Sequence, residues 1–102
     1  MKLTVYNTSM FDFENIGNEE GGLVFEVEQV YADSRGFKYF AKCETPDISI
    51  AYKDAESFDE ELNDEILMIY TCYGSLKDEE CSNNGVMELR DFGIKCFTEF
   101  KR

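Results

Sequence analysis

Histidine is absent, so the chemistry open to this chain rests on twenty-two carboxylates and four cysteines. General acid–base catalysis draws most often on imidazole. Its absence removes Ser-His-Asp and Cys-His arrangements. A carboxylate pair can in principle hydrolyse a glycosidic bond. With twenty-two acids, however, some pair falls at any chosen separation, so the sequence singles none out. Neither a Walker loop nor a G-x-G-x-x-G turn occurs, and Gly21-Gly22 precedes a strand-like run rather than following one. Asp12, Glu14 and Gly17 fall near calcium-loop spacing, but Ile16 takes the third ligand position and no Glu stands at the twelfth. Cys43, Cys72, Cys81 and Cys96 form no C-x-x-C pair, so paired zinc ligands are missing. No catalytic residue, metal site or cofactor is expected.

The remaining chemistry is charge. Asp54, Glu56, Asp59, Glu60, Glu61, Asp64 and Glu65 lie within twelve residues that hold no Lys or Arg. A second acidic run, Asp78-Glu79-Glu80, follows Gly74. The whole chain carries −12 at pH 7. That balance repels nucleic-acid backbones and anionic membranes. It suits a basic protein partner, because an acidic face steers association and fits a channel built for phosphates. Glu56, Asp59, Glu60, Glu61, Asp64, Asp78, Glu79 and Glu80 are the expected partner-binding residues. Tyr52, Tyr70, Tyr73 and Phe40 are the aromatic candidates for anchors among them, against an ordinary role in the core.

The leading expectation is an acidic inhibitor of a nucleic-acid-acting enzyme, such as an immunity protein, an antitoxin or a phage-type inhibitor of a restriction or CRISPR nuclease. The alternative is a small interaction module, with a homodimer as one form, whose acidity only maintains solubility. A small carboxylate hydrolase is the third reading. A cytoplasmic setting is expected, since MKLTVYNTSMF lacks the apolar core of a signal peptide and the thiols read as reduced and mostly buried, Cys81 in its polar loop excepted. No apolar run reaches the ~20 residues that span a membrane.

The elements that must position these charges follow from periodicity. Residues 1–102 read as one domain. Phe58, Leu62, Ile66, Ile69 and Tyr73 form a helical stripe, with Ser57 and Glu60 as a capping box and Gly74 as the stop. A buried strand over ILMIYTCY is the rival for its second half. Residues 2–8 read as a strand, and Phe11, Phe13 and Ile16 can tuck under a loop. The runs 23–31 and 37–45 predict a hairpin whose three-residue loop places Gly36 in a left-handed G1 bulge. Pairing Asp33 with Phe37 sets Tyr31 against Tyr39, Gln29 against Ala41, Val27 against Cys43 and Glu28 against Lys42. Phe40 and Val30, on its wet face, imply cover from another element. After a turn at Thr45-Pro46-Asp47, with Pro46 at the second position, Ile48, Ile50 and Tyr52 make a third strand. Asn83-Asn84-Gly85 predicts a turn into two strands, 86–91 and 94–100, with a helix interrupted by Gly93 as the rival. The expected fold is α+β: an antiparallel sheet of about five or six strands with one main acidic helix on a face.

Overall fold

The computed structural model describes residues 1–14, 16 and 21–98. Four antiparallel strands lie in chain order: β1 (Lys2–Val5), β2 (Leu23–Gln29), β3 (Tyr39–Cys43) and β4 (Ile48–Tyr52). Helix α1 (Ala55–Tyr73) follows directly, then a single 3₁₀ turn at Asp78–Glu80 and helix α2 (Asn84–Thr98). The α+β class holds, with four strands and two helices in place of five or six strands and one. Expectations about Gly17 and residues 99–100 lie outside the described residues.

One face of the sheet is dry because its strands alternate. Leu23, Phe25 and Val27 of β2 are buried, as are Ala41 and Cys43 of β3 and Ile48, Ile50 and Tyr52 of β4. Phe58, Leu62, Ile66 and Ile69 of α1 close over them, and Phe58 meets Phe25 and Tyr52 edge-on. Phe11 and Phe13, both fully buried, carry the core on to α2 through Phe97 and Phe92. The opposite sheet face is wet. Neither helix covers Val30 or Phe40, contrary to expectation: Val30 is exposed, and half-buried Phe40 has only Glu28 and Ala51 as cross-strand neighbours.

The hairpin tip forms as its sequence dictates. Gly36 has φ +80°, and Asp33 accepts from the Arg35 and Phe37 amides at 2.8 and 3.0 Å. The ladder below it is shifted by two residues from the expected register. Glu26 pairs with Lys42, Val27 with Ala41, Glu28 with Phe40 and Gln29 with Tyr39. The Asp33 amide bonds Phe37 O and the Val30 amide bonds Lys38 O, so Tyr31 and Ala32 bulge out and Tyr31 is wholly exposed. A shift of two keeps every side chain on its own face, which is why alternation cannot detect it. It gives Val27 a small buried partner and leaves Tyr39 free to stack on Tyr52, 5.4 Å between centroids. The Thr45–Pro46 peptide bond is cis.

Helix α1 runs unbroken to Tyr73, so 66–73 is helix and not strand. Its capping box is Asp54 with Ser57, three residues earlier than expected. The Ser57 amide donates to Asp54 Oδ1 at 2.8 Å, and the Asp54 amide donates to Ser57 Oγ at 3.0 Å. The Ser57 amide bond to it holds the Asp54 carboxyl below its ordinary range. Gly74 follows the last helical residue in a right-handed conformation.

The two strands expected over 86–100 are instead α2. Asn83 Oδ1 accepts from the Val86 amide at 3.0 Å, so Asn-Asn-Gly opens a helix here rather than a hairpin. Gly93 sits inside that helix for a packing reason. A Cβ there would lie 3.3 Å from Ile69 Cγ2 and 3.4 Å from the Tyr70 backbone. The absent side chain lets α2 approach α1 closely, and Phe97 stacks on Tyr70 with centroids 4.0 Å apart. This contact offsets the ~1 kcal/mol that glycine costs within a helix. Gly93→Leu is accordingly expected to destabilise the fold by about 1–3 kcal/mol through overpacking, read as a lower urea midpoint with the far-ultraviolet helical signal retained before unfolding.

Candidate acidic interface on helix α1

The eight acids expected to bind a partner divide by what their carboxylates touch. Asp59 is half-buried and engaged. It accepts from the Ser9 amide at 2.7 Å, from Ser9 Oγ at 2.5 Å and from Asn63 Nδ2 at 3.2 Å. Buried Asn63 also donates to Ser9 Oγ at 2.9 Å and accepts from Thr8 Oγ1 at 2.5 Å. Thr8 Oγ1 in turn receives the Met10 and Phe11 amides. The cluster fastens the segment after β1 to the flank of α1. It was not anticipated from the sequence, although a short amide side chain four residues from an aspartate, beside an apolar stripe, was its signal.

Asp78 and Glu80 are engaged as well. Asp78 Oδ1 accepts from Arg90 Nη1 at 2.7 Å, and Arg90 also donates to Leu76 O and to Asp91. The carboxylates beside it raise the Arg90 pKa further. Glu80 accepts from the Lys77 amide at 3.0 Å and caps the 3₁₀ turn. Arg90, a buried cation that sequence reasoning passed over, thus anchors the connector between the helices.

Glu56, Glu60, Asp64 and Glu79 are exposed and make no ion pair among the described residues. Glu61 is half-buried at the edge of the same face. Glu56, Glu60 and Asp64 recur at every fourth position, so they form one solvent-facing stripe. The 78–80 turn is not continuous with it. Glu65 is followed by a charge-free run to Tyr73, ~12 Å of axis at 1.5 Å per residue, before the turn begins. Burial, then the neighbouring Glu61, pushes the Glu65 carboxyl above its ordinary range.

The aromatic candidates are mostly structural. Tyr52 is buried, Tyr73 is half-buried and Tyr70 is stacked on Phe97, while Phe40 lies on the far sheet face. The thiols are free: Cys43 and Cys96 are buried, Cys81 is intermediate and Cys72 is exposed, so only half of them are buried. Burial pushes the Cys96 thiol up to about 12 and also raises that of Cys43. Among the described residues no cluster of His, Cys, Asp and Glu could hold a metal ion. No described helix is long and apolar enough to cross a membrane. Comparison with protein-family models, with characterised proteins and with solved structures found no match.

The division of the acids has a direct test. Asp59→Ala removes charge-assisted bonds and is expected to lower stability by about 1–3 kcal/mol, whereas Glu60→Ala is expected to stay within about 0.5 kcal/mol of wild type, both by urea denaturation. Glu65 has the opposite sign to a paired acid. Its folded pKa lies above the unfolded one, so ionisation opposes folding and the penalty is complete above the folded value. Glu65→Gln is therefore expected to stabilise at neutral pH by about 0.2–0.5 kcal/mol, the size of a like-charge i,i+4 pair in a screened setting. That gain disappears as the pH falls below the ordinary glutamate range, as thermal melts across pH 3–7 would show.

Proposed function

We propose that this protein is a non-enzymatic, acidic inhibitor that binds a nucleic-acid-acting enzyme and occludes its basic surface. The observation that carries this reading is the stripe Glu56, Glu60 and Asp64 on the solvent side of α1, which makes no ion pair among the described residues. With Glu61 and Glu65 beside it, five carboxylates span nine residue steps, ~13.5 Å of axis or ~3.4 Å per charge. That approximates the ~3.4 Å per charge along one strand of duplex DNA, not the ~1.7 Å of both strands. A rigid helix presents such a row to a phosphate-binding channel without the cost of ordering a loop. The reading places the protein in a compartment that keeps thiols reduced, the cytoplasm, in keeping with four free cysteines.

The test uses wild-type and Glu56→Lys, Glu60→Lys, Asp64→Lys triple-variant baits against lysate of the native host. Wild type is expected to retain a basic nucleic-acid-acting enzyme at 50 mM salt, to release it progressively toward 500 mM, and to inhibit it at one-to-one stoichiometry. The triple variant is expected to lose at least tenfold in affinity with its fold unchanged by circular dichroism. Retention of no such enzyme, or equal retention by both baits, refutes the proposal.

A further inference from the structure

Strand β1 is an edge of the sheet, and its register fixes what that edge offers. Met1 and Val27 exchange both backbone bonds, so the odd residues of β1 face β2. Lys2 and Thr4 therefore aim their N–H and C=O groups away from the sheet, and among the described residues nothing takes them. The next outward carbonyl, that of Tyr6, is already taken by the Phe13 amide. The open edge thus runs from Met1 to Val5, with Leu3 at its centre. Its side chains are symmetric about that centre. Met1, Leu3 and Val5 lie opposite the buried Val27, Phe25 and Leu23, on the helix side, while Lys2 and Thr4 are exposed on the other. The three apolar residues border a groove of about 610 Å³ that Tyr39, Tyr52 and Phe58 also line, and Met1 is 75% exposed there.

We infer that a second copy of this chain occupies the edge, β1 against β1, joining two four-stranded sheets into one of eight. Such a dimer forms whether or not the protein also meets a cationic partner. A two-fold axis through Leu3 sets Lys2 opposite the copy's Thr4 and Thr4 opposite the copy's Lys2. All four are outward-facing residues, so four backbone bonds close. Met1 meets the copy's Val5, Leu3 meets its counterpart, and these side chains shut the open side of the groove. Sliding by two sets Lys2 against Lys2, or Thr4 against Thr4 where the Tyr6 carbonyl is already engaged. Sliding by one sets outward-facing residues against residues whose bonds face β2. Charge favours the same partner and orientation. The chain carries −12, but this edge reverses the sign locally: exposed Lys2 and the Met1 ammonium stand beside one acid, Glu26, 3.1 Å from the ammonium. Antiparallel order lays that cationic end toward the far end of the copy's β1, where Asp12 bridges Asn7 and Asp59 holds Ser9. Symmetry makes this match twice, and each Lys2 keeps Glu26 on its other side. The acidic stripe stays clear of the contact, because Glu56 and Glu60 lie ~160° around α1 from the groove-lining Phe58.

The test is sedimentation equilibrium of the full chain between about 5 and 500 µM, where a reversible monomer–dimer equilibrium is expected. Thr4→Pro is expected to weaken it at least tenfold, because it removes two of the four bonds at an edge position whose N–H the monomer leaves unused. Glu60→Lys, on the stripe, is expected to leave it within about threefold. Register is read by oxidative cross-linking in a Cys72→Ser, Cys81→Ser background. Leu3→Cys is expected to form a disulfide-linked dimer, since a directly opposed non-hydrogen-bonded pair lies within disulfide reach, whereas Thr4→Cys, opposite Lys2, stays unlinked. Thr4→Pro is expected to keep the wild-type circular dichroism spectrum; where it does not, the linkage pattern decides alone. A monomer across the whole range, a dimer indifferent to a folded Thr4→Pro, or linkage through Thr4→Cys in preference to Leu3→Cys would overturn the inference.

Discussion

Burial of the Phe58-Leu62-Ile66-Ile69 stripe is the contact on which the rest of the molecule depends. Those four side chains are buried, and fully covering a Leu, Ile or Phe contributes roughly 1.5–3 kcal/mol each. The stripe fixes the rotation of α1 about its own axis. Once that rotation is set, Glu56, Glu60 and Asp64 have nowhere to point but water. The acidic face is therefore a geometric consequence of the core, and its rigidity is the core's rigidity. The Asp54–Ser57 box sets where the helix starts, so it also sets which carboxylates fall inside it.

A hydrophobic stripe fixes rotation more firmly than it fixes position along the sheet, because apolar contact is non-directional. The directional element is polar. Asn63, buried at 6% exposure, has both ends of its amide satisfied by Thr8, Ser9 and Asp59. Any displacement of α1 relative to the turn after β1 would strand that amide, and an unsatisfied buried polar group costs about 1–3 kcal/mol. This cluster thereby holds the end of β1 at a set distance from the start of α1. Arg90 performs the same office at the other end, tying the connector to α2.

The features that were legible in the sequence are those with a strong local period or a demanding turn. The α1 stripe, the three-strand meander and the left-handed Gly36 are of this kind. The hairpin register was not legible, since a two-residue shift preserves the alternation on which the expectation was built, and the Tyr31–Ala32 bulge has no local signature. Helix α2 was misread because Gly93 weakens a helix in isolation; its benefit exists only against Ile69 and Tyr70, residues distant in sequence. The strand count failed for the same reason. Among the acids, composition could locate the dense region but could not separate Asp59, Asp78 and Glu80, which hold the fold together, from Glu56, Glu60, Asp64 and Glu79, which make no ion pair among the described residues.

That separation bears on whether the acidity is more than a solubility device. Solubility depends on net charge and is indifferent to placement. Placement here is uneven. The wet sheet face alternates sign, with Glu26 opposite Lys42 and Lys2 opposite Glu26 across adjacent strands. Helix α1 holds no base through nineteen residues. Concentrating like charge there carries a local penalty, visible where Glu61 helps to raise the Glu65 carboxyl. A sequence under pressure only to stay soluble would lower that penalty with a lysine at an exposed position such as Met68 or Thr71, four and seven residues past Asp64, at no cost to the core. The unrelieved repulsion is what a surface shaped for a cationic partner would retain, because the partner supplies the missing positive charge on binding.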